Sequence, residues 1–284
     1  MGAASELRDG PRANGAGTMN RGKHMDIGDR VVIVTGAGTG VGAAAAIRLA
    51  GGGAKVVVNY SRSRDEAEAT ASACRDAGGE AVAAQGDVAR EEDCRRLADE
   101  AFSRWGRIDG LINNAGTTVF RAGDDFDALT AEDFQHVYAV NVVGAFQMAR
   151  AVAPRMKSSG RGSIVNTSSI AGVMGIGSSI AYAASKGALN TLTLSLARAL
   201  APEIRVNAVA PGFITGRWWR EKMGDGYDTM VANVAASTPL KRAGTPEDMA
   251  AAAVWLLVGD VNITGEILIS DAGLHLGGAP LVAR

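Results

Sequence analysis

Two cysteines, Cys74 and Cys94, are all the chain carries in 284 residues, with no CxxC pair and no disulfide framework. A small secreted fold stapled by bridges is excluded, and a reducing cytoplasm is the expected compartment. Histidine is nearly as scarce: His24, His136 and His275 are too scattered to make a ligand set, so no metal is expected. Charge of one sign is lacking too. A formal net charge of −1 gives no bulk attraction to nucleic acid or to an anionic membrane, and neither is an expected partner. No apolar run reaches membrane-spanning length, and no apolar core follows the N-terminal charges as a signal peptide requires. A G-x-S-x-G elbow is also missing, which removes the commonest serine-hydrolase arrangement. There are no internal repeats.

What is present is an ordinary globular composition, 47% hydrophobic and 21% charged, long enough for one large α/β domain. Residues 1–27 have no hydrophobic period and read as a disordered arm, so the domain is expected over 28–284. It opens with Arg30-Val31-Val32-Ile33-Val34, a run typical of a strand buried on both faces. This leads directly into TGAGTGVG, Thr35 to Gly42, and an alanine-rich helix. Strand, glycine turn and helix form the setting that a dinucleotide site needs. Gly36 allows the tight turn, Gly40 lets backbone approach a diphosphate and Gly42 lets the helix pack closely, with Thr39 and Val41 between them.

The next strand ends at Asn59 without the acidic residue that would bind a free ribose 2′-hydroxyl. It continues Tyr60-Ser61-Arg62-Ser63-Arg64 instead; hydroxyls and guanidinium groups suit a 2′-phosphate, and Asn59, Ser61 and Arg62 are the expected cofactor contacts here. NADP(H) is therefore the preferred cofactor, with NAD(H) second. Helices and strands then alternate along the chain, predicting a parallel, doubly wound sheet with helices on both faces. Asp87 follows a strand end, where ligands gather in such sheets, and the turn Asn113-Asn114-Ala115-Gly116 follows another. His136, on a helix starting near Thr130, has no catalytic partner at useful spacing and is structural. Asn141 falls in the middle of a helix between valines, a position that asks for a reason.

Chemistry concentrates between Ser163 and Leu200. Tyr182 and Lys186 are four apart, so a helix sets both on one face, and Ser169 ends a strand thirteen positions before the tyrosine. A free phenol has a pKa of about 10, and useful acid–base catalysis wants roughly 7, a change of about 4 kcal/mol. An adjacent ammonium can supply much of that change. Ser169 would hold a substrate oxygen against the Tyr182 hydroxyl. Arg217 to Gly244, rich in aromatic and polar residues, reads as a substrate lid, and Val173 to Ile180 and Thr117 to Phe120 as further pocket walls. The tail from Asp271 is expected to dock on a neighbouring subunit.

Taken together, T-G-x-x-x-G-x-G at 35–42, N-N-A-G at 113–116, Asn141, Ser169, Y-x-x-x-K at 182–186 and P-G at 211–212 resemble the short-chain dehydrogenase/reductase family. The resemblance covers residues 28 to about 275 and is to the compact, oxoacyl-reductase-like branch. It implies a Rossmann fold of about seven strands and hydride transfer between a nicotinamide and a carbonyl or secondary alcohol. It implies that Tyr182 is the acid/base, Ser169 steadies the substrate oxygen, and Lys186 lowers the tyrosine pKa and binds the nicotinamide ribose. Asn141 would hold a relay water. Asp87 and Val88 would meet the adenine, Asn114, Ala115 and Gly116 the adenine-side ribose, and Pro211, Gly212, Ile214 and Thr215 the nicotinamide. A homotetramer or homodimer through the Asn141 and Tyr182 helices is also implied.

This sequence departs from the family pattern twice. Gly216 stands where the family usually has a threonine, with Thr215 one step early. Ala201-Pro202-Glu203 replaces the basic residues that acyl-carrier reductases show after the catalytic helix. Alternative readings are a 3-oxoacyl thioester reductase, an NAD-dependent sugar or sterol alcohol dehydrogenase, and a non-catalytic dinucleotide sensor. A sugar-nucleotide epimerase is disfavoured by the glycine spacing and by the lack of a second domain.

Overall fold

The computed structural model describes residues 27–121, 127–259 and 262–277. The expectation of a disordered arm lies outside these residues except at Ile27. Ile27 packs against Gly52 and the core, so the folded part opens one residue earlier than expected.

Val31–Val34 (β1) is apolar on both faces and wholly buried, as a central parallel strand requires. The glycine turn then feeds α1 (Gly40–Gly51), β2 (Lys55–Tyr60), α2 (Arg64–Asp76), β3 (Glu80–Gln85), α3 (Glu91–Trp105) and β4 (Gly110–Asn113). Next come α4 (Ala131–Tyr138), a π-helical segment at Ala139–Gly144, α5 (Ala145–Ser158), β5 (Gly162–Thr167), α6 (Ala171–Met174) and α7 (Ile180–Leu200). The chain continues with β6 (Ile204–Pro211), α8 (Arg217–Met223), α9 (Tyr227–Ser237), α10 (Pro246–Val258) and β7 (Ile267–Ser270).

All seven strands run parallel, in the order β3-β2-β1-β4-β5-β6-β7. This is the expected Rossmann-type α/β sheet. One apolar layer joins it to α1, α2 and α10 through Leu49, Ala71 and Val254. The other joins it to α3, α5 and α7 through Leu97, Met148 and Leu196. The strand order reverses between β1 and β4, so the connections leave in opposite directions and open a crevice above their carboxyl ends.

Capping fixes where the functional helices start. Ser179 caps α7, its hydroxyl accepting the Tyr182 N–H at 3.1 Å, which sets Tyr182 in the first turn. Thr130 and Asp133 form the reciprocal capping box of α4 that TAED suggests. The helix expected around Asn141 is not a plain α-helix there, because the backbone widens into the π segment. The described start of the C-terminal tail packs on its own chain: Gly273 abuts Pro239, and Ala272 O accepts the Leu240 N–H. Residues 278–284 of that tail lie outside the described residues.

Candidate active site

A cleft of about 480 Å³ follows the crevice from the glycine turn to α8, bounded by the loops after β1, β2, β4, β5 and β6. At its first end Gly36 has φ of +60°, and a Cβ there would come within 2.9 Å of the Ala115 Cα. The turn therefore rests directly on the loop after β4. Thr35 locks the two together, its hydroxyl accepting the Asn114 and Ala115 N–H groups at 3.0 Å. Asn114 Nδ2 returns bonds to the carbonyls of Thr35 and Gly36. A Cβ on Gly42 would lie 2.6 Å from the Gly36 carbonyl, so the start of α1 sits against the turn as expected.

The middle of the cleft holds the proton-transfer groups. Ser169 lies just beyond β5, its hydroxyl accepting the Ala171 N–H at 3.1 Å. It is also close enough to the Tyr182 phenol to hydrogen-bond it and favour its ionised form. Lys186, only 4% exposed, donates from Nζ to the Thr167 carbonyl at 2.7 Å and lies 5.6 Å from the Tyr182 ring centre. Burial pushes its ammonium down from 10.5 to about 8. Burial also pushes the Tyr182 phenol up, with Ser169 opposing. Lys186 was expected to bring the phenol down; here desolvation dominates instead, and one of the three ammonium donors goes to the Thr167 carbonyl.

Asn141 has its reason. Its Oδ1 accepts the Thr117 N–H at 2.8 Å, and Nδ2 donates to Thr117 O and Ser185 Oγ, both at 3.0 Å. It ties the loop after β4 to the helix of Tyr182 and Lys186. A Cβ on Gly116 would fall 3.5 Å from Asn141 Oδ1 and 3.7 Å from Lys186 Nζ, so the glycine leaves the space between them open.

At the far end stand three rings. Trp219 meets Phe120 edge-on at 5.8 Å and Phe213 at 5.5 Å. Ile176, Ser178 and Leu274 complete this wall, so the two loops and the α8 segment expected to line a pocket do converge.

Not every expected contact reaches the cleft. Asn59 is 1% exposed and braces the glycine turn from below, accepting the Gly36 N–H and donating to the carbonyls of Tyr60, Ala84 and Gly86. Val88 is buried, its carbonyl accepting from Cys94 Sγ and Gln147 Nε2. Asp87 is exposed and caps the turn before α3 by accepting the Ala89 N–H. Arg62 is exposed beside the cleft, while Ser61 and Ser63 line it. Thr39, Gly40, Val41, Pro211, Gly212 and Ile214 also line it. Thr215 does too, but its hydroxyl is spent on the Gly244 carbonyl, and Gly216 donates its N–H to the Tyr227 hydroxyl.

The short-chain dehydrogenase model described as enoyl-(acyl carrier protein) reductase matches residues 36–275. The chain is a short-chain dehydrogenase/reductase. It is 43% identical over 197 residues to a Streptomyces violaceoruber protein named as ketoacyl reductase 2 of the granaticin polyketide synthase, covering 69% of this chain and 78% of that one. L-fucose dehydrogenase of Bos taurus is 34% identical over 195 residues, 67% of this chain and 71% of the other. A solved short-chain dehydrogenase/reductase from Burkholderia xenovorans superposes with a TM-score of 0.82 at 43% identity, over 88% of this chain and 99% of that one. As a short-chain dehydrogenase/reductase the protein is an NAD(P)-dependent oxidoreductase with a small-molecule substrate. No helix among the described residues is long and apolar enough to cross a membrane.

The residues fit such a cofactor. Thr39 starts α1 without a side-chain capping bond, which leaves the first-turn N–H donors to a ligand. No atom lies within 4 Å of where a Gly40 Cβ would be. Thr167, whose carbonyl holds Lys186, also lines the cleft. Sequence reasoning placed Thr35 and Arg217 only as the ends of the glycine motif and of the lid, and did not single out Thr167. Thr35 lay inside the recognised motif and could have been read there; the other two carried no local signal.

Proposed function

We propose that the protein is an NADP(H)-preferring carbonyl reductase or secondary-alcohol dehydrogenase for a medium-sized apolar or amphipathic substrate. One observation carries the reading: Ser169, Tyr182 and Lys186 converge midway along a cleft that runs from a glycine turn to an aromatic wall. When bound, the nicotinamide supplies or accepts the hydride. Ser169 steadies the substrate oxygen and Tyr182 gives it the proton. The raised phenol stays protonated at neutral pH, which is the form that donates to a carbonyl. Lys186 binds the nicotinamide-side ribose, and Asn141 positions the loop and helix around it. Ser61, Ser63 and the nearby guanidinium groups support a 2′-phosphate.

The segment at 217–244 acts as the lid, its Trp219 sealing the apolar end. Val143, Phe146 and Leu194 leave apolar surface exposed on the π segment, α5 and α7, which supports a homotetramer or homodimer through these helices. The cytoplasm is the proposed compartment. Cys74 and Cys94 are free and buried there, their thiols pushed up by burial to about 11 and about 12 and therefore unreactive.

The test is a fluorescence titration with NADPH and NADH, followed by turnover of a panel of ketones, β-keto esters, quinones, sugars and sterols. Tyr182→Phe should bind NADPH about as well as the parent and lose at least about a thousandfold in kcat. A variant that kept near-parental turnover would remove Tyr182 from the acid/base role.

A further inference from the structure

Arg217 opens α8, the first helix of the proposed lid, and lines the cleft together with Gly38, Ser61 and Ser63. Its Nη1 reaches Glu66 Oε1 at 3.1 Å, in the first turn of α2 and 151 positions away in sequence. Nε sits 3.5 Å from Glu221 Oε1 on its own helix. Nη2 has no partner among the described residues, so one edge of a rigid, permanently charged fork is left for a ligand. Gly38 abuts the start of α2, where a Cβ would lie 3.0 Å from Ser63 Oγ, so the Glu66–Arg217 pair stands beside the end of the cleft that Ser61 and Ser63 line.

We propose that Arg217 is a specificity-determining residue for NADP(H), delivered from the lid, and that its free Nη2 edge binds the 2′-phosphate while Nη1 stays on Glu66. The proposal rests on the NADP(H) reading above. A lone Glu66 carboxylate at that place would repel a 2′-phosphate, and Arg217 turns the repulsion into attraction by neutralising the one and bonding the other. Both side chains are about half exposed, 48% for Arg217 and 44% for Glu66, so neither is locked by packing and the guanidinium can turn its free edge to a phosphate without disturbing the core. The Arg217–Glu66 bond already ties the lid to the adenosine end of the cleft, and a phosphate on the free edge adds a second tie. Cofactor binding thereby steadies α8 over the substrate end, where Trp219 closes the aromatic wall.

The experiment measures Kd for NADPH and NADH by fluorescence in the parent, Arg217→Ala, Arg217→Lys and Glu66→Gln, with lid protection followed by hydrogen exchange over 217–237. Losing a charge-assisted bond should raise Kd for NADPH roughly tenfold in Arg217→Ala and leave NADH within about twofold. Arg217→Lys should fall between, and Glu66→Gln should tighten NADPH without changing NADH. NADPH should protect the lid in the parent and not in Arg217→Ala. Equal losses for both dinucleotides, or an unchanged NADPH Kd in a folded Arg217→Ala, would overturn the proposal. A parent that binds NADH at least as tightly as NADPH would instead overturn the NADP(H) reading itself, and is seen before any variant is made.

Discussion

Gly172→Ala tests the assembly of the site without touching a proton-transferring group. Gly172 sits in α6, and a Cβ there would lie 2.6 Å from the Gly187 N and 2.7 Å from the Lys186 O, and nearer still to the Lys186 carbonyl carbon. Ordinary contact begins at 3.4 Å, and the atoms met are α7 backbone, which cannot rotate aside as a side chain would. Helix and loop must therefore part by about 1 Å. The link that holds them resists: Asn190 Nδ2 donates to the Gly172 carbonyl, and Ser168 bonds Asn190 at 2.5 Å. Overpacking of this kind costs about 1–3 kcal/mol, seen as a fall in Tm of roughly 2–4 °C per kcal/mol in a chain of this size. The larger effect is on geometry. Ser169 belongs to the loop and Tyr182 to the helix, so a shift of about 1 Å between them should lower kcat about a hundredfold. The glycine turn is not involved, and Kd for NADPH should stay within about threefold. Steady-state kinetics with NADPH titration and a melting curve decide the matter. A variant that melts lower yet keeps kcat within about twofold of the parent would show that Ser169–Tyr182 spacing does not limit the reaction.

Two further predictions follow from buried charges. Lys186 is held to about 8, below its ordinary 10.5, so between these values the folded protein binds fewer protons than the unfolded chain and its stability rises with pH. The buried charge costs up to about 3 kcal/mol below pH 8, so the stability gap between the parent and Lys186→Met should shift by about that amount in denaturant titrations from pH 8 to 10.5. Turnover should move the opposite way, with a descending limb near pH 8 as the ammonium is lost; a flat profile through pH 9 would disprove a role for that charge. Asp109, 7% exposed, accepts the Val31 N–H at 2.9 Å and pairs with Arg107. Asp109→Ala strands the Val31 donor at the head of β1 and should cost about 2–4 kcal/mol by denaturant unfolding, with kcat per folded molecule unchanged.

The local parts of this site were legible in the sequence and the long-range ones were not. A glycine turn between a strand and a helix, or a tyrosine four before a lysine, carries its geometry in its own spacing. The strand alternation and helix period then bring these pieces to one edge of the sheet. Asn59 stands in the chain where a ribose contact is expected, but its buried amide lies beneath the glycine turn and bonds four backbone groups there. The partners of Asn141 in the π segment, Thr117 and Ser185, lie 24 and 44 positions away, so no short window on the sequence contains them. The raised phenol of Tyr182 is likewise a matter of burial, a property of the whole assembly, with the Ser169 hydrogen bond opposing it.

The position of the catalytic helix is set by polar bonds more than by apolar contact. Apolar burial is non-directional and would tolerate α7 sliding along the sheet. Hydrogen bonds fix both distance and angle. Beneath α7, Asn166 Nδ2 on β5 donates to Thr193 Oγ1 at 2.9 Å, and Asn113 Nδ2 on β4 donates to Asn166 Oδ1 at 3.0 Å and to the Ala145 carbonyl at 3.1 Å. Asn113, Asn166 and Thr193 are all buried, so each bond is made in a low dielectric and a lost partner would be costly. Together with Asn141–Ser185 and Ser168–Asn190, they tie the helix to two strands, the π segment and the Ser169 loop. Every element that contributes a group to proton transfer is thus bonded to α7 or is α7 itself. The substrate end is walled by the three rings of Phe120, Phe213 and Trp219, with one side-chain bond between Thr118 and Ser178 joining its two loops. Densely bonded chemistry beside an apolar wall is the arrangement in which substrate range can change while the reaction stays the same.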